Sequence, residues 1–199
     1  MRAEQRDATR DQIVQAALTS ISESGYDGVS TRTIAARAGV TQGLLTYHFK
    51  SKDALWRAAA DHLFTRLNAA MDAGIAGLPD PSPAAVRRET ILQMVVFASQ
   101  HPEMLRFIMD AGVSDSSCDW LVEAHLRCVY QRFCESHAET DRADLPHLFY
   151  ILTGASVLIF SNASKCVQLS GMDPLTPEAV RRHADLVADL MESRALLGT

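Results

Sequence analysis

Residues 30–49 read STRTIAARAGVTQGLLTYHF, a pattern of two short helices joined by a tight turn. The apolar residues recur at the spacing that turns side chains towards a core. They are Ile34, Ala35, Ala38, Val40, Leu45 and Phe49. Ser30 and Thr41 precede the two helices, where a side-chain oxygen can accept a backbone N–H. Gly39 stands where the first helix must end, because glycine enters the left-handed conformation without steric cost. The stretch therefore predicts a helix-turn-helix, which places its second helix in the major groove of DNA.

The charge of the chain is unevenly distributed. The chain has 199 residues, of which 47% are apolar and 22% charged, and this composition favours a packed core over disorder. Residues 1–57 carry eight Lys or Arg against six Asp or Glu, whereas residues 58–199 carry eleven against eighteen. A mildly basic head on an acidic body is compatible with DNA binding by the head alone.

The sequence also predicts where the protein resides. Its first residues are charged and lack the apolar segment of a secretory signal. The longest nearly unbroken apolar run, residues 148–160, is too short to span a bilayer. We therefore expect a cytoplasmic protein that does not enter a membrane. The four cysteines show no CxxC pairing, so neither a zinc knuckle nor a disulfide framework is indicated.

Helical patterns continue through the whole chain, and we predict about nine helices and no strands. The first dozen residues are expected to form a loose arm, followed by a helix that opens with a capping box at Thr9 and Gln12 and ends at Gly25. Ser51 is expected to cap a fourth helix, and Ser82 before Pro83 to open a fifth.

Four further helices follow from the patterns in the second half of the chain. They are expected over about residues 102–111, 116–137 and 145–167, and from Thr176-Pro177 onwards. The prediction is an all-α fold, in which a three-helix DNA-binding domain, residues 1–50, precedes a larger helical ligand-binding and dimerisation domain, residues 51–199.

The stretch GYDGVSTRTIAARAGVTQGLLTYHFKSKDAL, residues 25–55, carries a resemblance to a known family. Residues 9–55 resemble the DNA-binding domain of the TetR (tetracycline-repressor-like) family of bacterial transcriptional regulators. The resemblance implies that helices 1–3 bind DNA and that helix 4 connects them to a ligand-binding body. It also implies that the last two predicted helices of two subunits pack as a four-helix dimer interface.

The resemblance assigns DNA contacts to particular residues. Arg32 and Gln42 match positions that contact base edges, while Tyr47, His48 and Lys52 match positions that hold phosphates. Arginine can donate bidentately to guanine and glutamine to adenine, and the N-terminal amides of helices 2 and 4 can add phosphate contacts. The alternative is that these residues are ordinary surface groups, or that Tyr47 and His48 pack against helix 4.

Two positions on the second helix suggest a base preference of their own. The family usually has a tyrosine where this chain has Thr46, and Leu44 is apolar on an otherwise polar face, which suits contact with a thymine methyl. The full set of predicted DNA-binding residues is Ser30, Arg32, Thr41, Gln42, Gly43, Leu44, Thr46, Tyr47, His48 and Lys52.

The body contains large apolar side chains that could line a pocket for an apolar or aromatic effector. Helical spacing does not separate pocket residues from plain core, so both interpretations remain open for each of them. The candidates, with three polar groups that could orient a ligand, are Met94, Phe97, Phe107, Asp110, Trp120, His125, Phe133, Tyr150 and Asn162.

The last two predicted helices supply the candidates for a dimer interface. Small residues near Gly154 would allow close approach across a dimer axis, or else tight packing inside one subunit. The candidates are Gly154, Leu158, Val180, Ala184, Val187 and Met191. His125 and Cys128 lie three apart and could be half of a metal or thiol-sensing site, although free cysteines are commonly small buried hydrophobes. We therefore assign no metal ligand.

The combined prediction is a ligand-responsive repressor that binds a palindromic operator as a homodimer and is released by a small hydrophobic effector. The chain has no glycine-rich phosphate loop and no GxSxG elbow, so we expect neither an enzyme nor a cofactor. An activator of the same fold, or a helical small-molecule-binding protein whose DNA role is lost, are the alternatives.

Overall fold

The computed structural model describes residues 2–109 and 114–197, and within these ranges it contains helices and no β-strand. This confirms the predicted all-α fold. The α-helices are α1 (Arg2–Gly28), α2 (Thr31–Arg37), α3 (Gln42–His48), α4 (Lys52–Ala76), α5 (Pro83–Gln100), α6 (Met104–Met109), α7 (Asp115–Leu121), α8 (Arg127–Ser136), α9 (Leu145–Ser161), α10 (Ala163–Ser170) and α11 (Pro177–Leu197). A π-helical turn, Val122–Leu126, joins α7 to α8.

The chain divides into two compact units. The first contains Met1–Thr65 and Arg106–Leu126, and the second contains Arg66–Leu105 and Arg127–Thr199. Helix α4 therefore contributes its first part to one unit and its last part to the other.

Amphipathic stripes build the core of the first unit. The predicted inner faces of α1 and α4 are buried. On α1 they include Ile13, Ala17 and Ile21, and on α4 Leu55, Ala59 and Leu63. The residues of each set recur every four positions, which places them on one side of their helix. The periodicity of the sequence thus correctly identified the surfaces on which α1 and α4 pack.

The beginning of α1 differs from the prediction. Residues 2–12 are helical rather than a loose arm, and the Thr9 hydroxyl donates to the carbonyl oxygen of Gln5 at 2.8 Å instead of capping a helix start. The segment is rich in Ala, Arg, Glu and Gln, which favour helix, and it contains no breaker. The predicted break at Gly25 is confirmed, since this residue has φ 72° and ψ 170° inside the segment.

In the second unit α11 packs against α5 and α9. The predicted helix over 145–167 is in fact two helices, since α9 and α10 meet at 79°. The break lies at Asn162, whose side-chain amide donates to the carbonyl oxygen of Leu158 at 3.1 Å. Asparagine offers the backbone a competing hydrogen bond of this kind, which explains why the helix stops there.

Four residues that were assigned to a dimer interface require a correction. Val180, Ala184, Val187 and Met191 are buried within the chain itself. Side chains that α5 and α9 already cover have almost no surface left to give to a second subunit. They are core residues of the second unit.

None of the described helices is long and apolar enough to cross a membrane alone. Judged by length and composition alone, the bent pair α9 and α10 together would be long and apolar enough.

Candidate nucleic-acid interface

Three side-chain caps fix the helix-turn-helix and the start of the helix that follows it. The Ser30 oxygen accepts the Thr33 N–H at 3.0 Å, and the Thr41 oxygen accepts the Leu44 N–H at 3.2 Å. Ser51 caps α4 in the same way. Gly39 has φ 66°, the left-handed conformation that was expected at the end of α2. The predicted capping of α2, α3 and α4 is confirmed.

The two faces of α3 differ as predicted. Leu45 and Phe49 are buried, while Gln42 and Thr46 are exposed. Tyr47 exposes 63% of its surface. On the preceding turn Val40 is only half-buried, although Ile34, Ala35 and Ala38 are buried.

Three more predicted contact residues belong to this exposed set. Arg32 and Gly43 are exposed, and Leu44 exposes 39% of its surface. The hydroxyl of Thr46 donates to the carbonyl oxygen of Gln42 at 3.0 Å, so this side chain lies back along its own helix. The outward face of α3 therefore presents one amide, one leucine and one tyrosine to a partner.

His48 and Lys52 are half-buried and make specific contacts. The His48 ring lies edge-on to Tyr47, with 5.3 Å between the ring centroids. The Lys52 ammonium lies 4.3 Å from the centroid of the Tyr26 ring, a cation–π geometry that holds the side chain in place. An ammonium over a ring still has N–H groups with which to bind an anion.

An open groove of about 470 Å³ lies beside α3. The beginnings of α2 and α4 both border it, at Ser30 and Ser51, and Lys50 and Lys52 add two positive charges. Backbone N–H groups at helix starts attract anions, and lysine adds charge that is not directional. We call it the cationic groove, and it is suited to the phosphate groups of a DNA backbone.

The sequence analysis overlooked Lys50, which is exposed and lines this groove. The available signal was a second lysine directly after the recognition helix and two residues before Lys52. Arg37 is a different case, because its guanidinium donates to both carboxylate oxygens of Glu23. This pairing lowers the pKa of Glu23 and shows that Arg37 is engaged within the protein.

A separate cavity of about 70 Å³ lies within the second unit. It is lined by residues of α4, α5, α8 and α9 and by His137, and most of these side chains are apolar. The lining residues are Asn68, Met71, Ile75, Val86, Arg87, Thr90, Ile91, Met94, Val129, Arg132, Phe133, Ser136, His137, Phe149, Leu152 and Thr153. Met94 and Phe133 are the two predicted ligand-binding residues among them.

The other predicted ligand-binding residues are elsewhere. Phe107, Trp120 and His125 belong to the first unit, where Trp56 stacks on Phe107 and lies edge-on to Trp120. His125 stacks on Phe64, and burial lowers its pKa. Phe107 and Trp120 were candidates because of their size and His125 because of its polarity, and in the structure these rings pack together in an aromatic cluster of the first unit.

Three of the remaining candidates belong to the second unit. Phe97 is buried on α5 beside the His101 ring, Tyr150 is 73% exposed, and Asn162 ends α9. Asp110 lies outside the described residues. The structure therefore does not bring the nine candidates together in one cavity.

The outer faces of α9 and α11 carry apolar residues that no other described residue covers. A side chain at Gly154 would meet no described atom within 4 Å. Leu158 exposes 56% of its surface, and Ile151, Leu186 and Leu190 are likewise more than half exposed. The sequence analysis named only Gly154 and Leu158 of this set.

The described residues contain no group of three or more His, Cys, Asp or Glu side chains that could hold a metal ion. Cys118 and Cys128 are exposed, and Cys134 and Cys166 are half-buried.

Comparison with known proteins gives matches that are strongest at the N-terminus. Residues 13–59 match the family described as bacterial regulatory proteins, tetR family. The HTH-type transcriptional regulator BetI of Serratia proteamaculans is 34% identical over 76 residues, which are 38% of each chain. The HTH-type transcriptional repressor NicS of Pseudomonas putida is 30% identical over 108 residues, 54% of this chain and 50% of NicS. The chain thus aligns with half or less of these relatives.

Solved structures match over nearly the whole chain. AibR, solved in complex with isovaleryl coenzyme A and operator DNA, has a TM-score of 0.73 and 15% identity, covering 92% of this chain and 97% of AibR. A TetR-like transcriptional regulator from Rhodococcus sp. RHA1 has a TM-score of 0.71 and 20% identity, covering 96% and 97%. At these identities the likeness concerns the fold alone.

Proposed function

Since this chain belongs to the TetR family of bacterial regulatory proteins, we propose that it is a ligand-responsive transcriptional repressor. It binds a palindromic operator as a homodimer in the cytoplasm and is released by a small, largely apolar effector. The observation that carries the proposal is the exposed face of α3, where Gln42, Leu44 and Tyr47 stand out from a capped helix beside a cationic groove.

Helix α3 would enter the major groove and the cationic groove beside it would hold the backbone. Gln42 can donate to and accept from an adenine edge, and Leu44 can contact a thymine methyl. Arg32 on α2 can donate to a guanine or to a phosphate. Phosphates can bind to Tyr47, His48, Lys50 and the start of α4. Base contacts then specify the operator and phosphate contacts fix the register.

A homodimer through α9 and α11 is supported by the uncovered apolar residues Ile151, Leu158, Leu186 and Leu190. Exposed apolar side chains on two helices that pack against each other favour burial against a second copy. In a two-fold dimer the two α3 helices would read half-sites about one helical turn apart, or slightly more, which requires a palindromic operator.

Effector release requires a ligand that prefers the conformation that DNA does not bind. The cavity of the second unit is the candidate effector site, and α4 contributes Asn68, Met71 and Ile75 to it. The same helix begins at Lys52, beside the cationic groove. A ligand that moves α4 would therefore change the separation of the two recognition helices. The AibR structure, which contains both an acyl-coenzyme A and operator DNA, supports this pairing of functions on one fold.

Replacement of Gln42 and Tyr47 by alanine tests the DNA-binding assignment. The double variant should lose affinity for DNA from the upstream region of its own gene, measured by fluorescence anisotropy, and should keep its circular dichroism spectrum and dimer mass. Gln131→Ala is the matched control, because Gln131 is exposed on α8 in the other unit. Unchanged operator affinity in the double variant would show that α3 does not read the DNA.

Transcription from that promoter, measured with and without the protein, distinguishes repression from activation. The similarity to NicS, an HTH-type transcriptional repressor, favours repression. A wild-type chain that shifts no DNA from its own promoter would favour a helical binding protein that has lost its DNA role.

A further inference from the structure

The cavity of the second unit has two chemically different ends. The Arg87 guanidinium donates to the carbonyl oxygen of Ser136 at 2.8 Å, so the start of α5 lies beside the end of α8. Midway, Arg132 pairs with Asp72 at 2.9 Å. Seven residues separate Arg87 from Met94, which corresponds to about 10 Å along a helix. Arg87, Ser136 and His137 thus form one end of the cavity.

Asn68, Met94 and Val129 line the cavity away from Arg87. Met94 and Val129 each lie seven residues along their helices from the Arg87–Ser136 contact, and the short connection from Ala76 to Pro83 makes α4 and α5 antiparallel, which separates Asn68 from Arg87. Apart from Arg132 and two threonines, the wall between the two ends is apolar. It consists mainly of Met71, Ile91, Phe133, Phe149 and Leu152.

The first end carries a positive charge that the protein does not balance. Arg132 has Asp72 as its counter-ion, whereas Arg87 has no carboxylate partner among the described residues. His137 is hydrogen-bonded to the Phe133 carbonyl oxygen at 2.9 Å, and burial, helped by Arg87, lowers its pKa. His137 is therefore neutral near pH 7, and Arg87 supplies the charge of this end.

The second end carries a buried acceptor. The side-chain oxygen of Asn68 is buried and has no hydrogen-bond partner within the described part of the chain. A buried acceptor without a donor is costly, and native structures usually satisfy it by a protein group, a water or a ligand. Rotation of the amide by 180° would place its NH2 group there instead, and a ligand hydroxyl can pair with either group because it both donates and accepts.

We propose that the effector is a small organic acid with an apolar body, a carboxylate that pairs with Arg87 and a hydroxyl that donates to Asn68. The proposal rests on the proposed function, because it names the ligand class of that regulator. An arginine fork matches a carboxylate bidentately, and charge-assisted hydrogen bonds are about twice as strong as neutral ones. The apolar wall supplies the remaining affinity.

The size of the cavity restricts the acid. Its 70 Å³ is less than half of the roughly 150 Å³ that holds a benzene ring in an apolar protein cavity. Arg87 lines the cavity with a long side chain, so a ligand carboxylate need not reach the α5 backbone. A short hydroxyalkanoate and a single-ring hydroxy acid both exceed the present space, so either one requires α4 and α5 to move apart as it binds.

Calorimetric titration of the full-length protein tests the ligand class. The probes are 4-hydroxybutanoate and 4-hydroxybenzoate, each compared with its neutral carboxamide and with the acid that lacks the hydroxyl. We expect at least one hydroxy acid to bind, its carboxamide to bind about 10–100-fold more weakly, and the acid without hydroxyl to bind about 10-fold more weakly. Equal binding of acid and carboxamide, or no binding of either hydroxy acid, would overturn the proposal.

Variants connect the affinities to the two residues. Arg87→Gln should lose about 10–100-fold in affinity for the hydroxy acid and little for the carboxamide, whereas Arg87→Lys should keep part of the acid preference. Arg181→Gln, on the exposed side of α11, is the matched control. Asn68→Leu should abolish the preference for the hydroxyl. Retained carboxamide binding by Arg87→Gln shows that this variant is folded, and unchanged acid binding in it would exclude Arg87 as the partner.

Operator binding without any ligand separates this proposal from the proposed function. If the wild-type protein binds its operator and none of the acids, the ligand class is wrong and the regulator stands. If it binds the acids and no operator DNA, the regulator is wrong and the ligand class stands.

Discussion

Replacing Leu158 by alanine should weaken the proposed dimer. Leu158 exposes 56% of its surface in the single chain. Full burial of a leucine side chain contributes about 1.5–3 kcal/mol, so covering the exposed half contributes about 0.8–1.7 kcal/mol. A two-fold symmetric dimer contains Leu158 twice, so the two copies together contribute about 2–3 kcal/mol to the free energy of dimerisation. The dissociation constant of the dimer should rise about 30–150-fold.

Addition of Leu190→Ala should raise the effect further, because Leu190 is equally exposed on α11. The double variant should lose about 4–6 kcal/mol of dimer stability if the two sites act independently. The folded single chain should change little, since each of these side chains is already more than half in water.

Sedimentation velocity over a dilution series measures the dissociation constant, and an operator titration measures the linked loss of DNA affinity. Leu44→Ala is the matched control for the sedimentation measurement alone, because Leu44 is an exposed leucine on α3 in the first unit and should leave the dimer intact although it is proposed to contact DNA. Equal dissociation constants for the wild type and the double variant would show that α9 and α11 do not form the interface. A wild-type chain that stays monomeric at all concentrations would refute the dimer itself.

Further predictions concern stability. Thr41→Ala should destabilise the first unit by about 1 kcal/mol in urea unfolding because it removes the α3 cap, whereas Thr46→Ala should be near neutral because its hydroxyl bonds only to its own helix. Met191→Ala should cost about 2–5 kcal/mol because Met191 is buried within the second unit; a loss confined to dimerisation would contradict its core position. Burial lowers the pKa values of His125 and His137 below 6.5, so the unfolded chain binds more protons as pH falls below 6.5 and the melting temperature should drop between about pH 7 and about pH 5. His137→Gln should reduce that slope, and a slope unchanged by this replacement would exclude His137 as a contributor.

The features that the sequence predicted best are local ones. A cap requires one side-chain oxygen and an amide three residues later, so Ser30, Thr41 and Ser51 could be assigned from their positions alone. The buried faces of α1 and α4 follow from periodicity in the same way. The prediction of a loose arm was wrong because the helix propensity of residues 2–12 outweighs the tendency of chain termini to be disordered.

Periodicity identifies an apolar face but not what covers it. On α11, Val180, Ala184 and Val187 form a stripe that α5 and α9 cover within the chain. Leu186 and Leu190 form a second stripe, four residues apart, that stays exposed. Both stripes are visible in the sequence, and only the packing of the folded chain decides which one is free for a partner.

The cavity was harder to predict because its walls come from four helices. Arg87, Asn68 and His137 are separated by tens of residues, and only the register of α4, α5 and α8 brings them around one space. Polar residues at such positions resemble ordinary surface groups in the sequence. Phe107 and Trp120 were predicted as pocket residues because they are large, but they pack with Trp56 in the first unit and not beside this cavity.

Helix α4 is the element through which the two proposed sites can communicate. Between Lys52 and Ala73 it contains neither glycine nor proline, so nothing in its sequence favours a kink between the DNA side and the cavity. The proposed coupling requires that a bound acid displaces α4 at Asn68 and that this displacement alters α4 at Lys52. Coupling then requires only that the acid and the operator prefer different positions of this one helix, and each must weaken the other by the same factor.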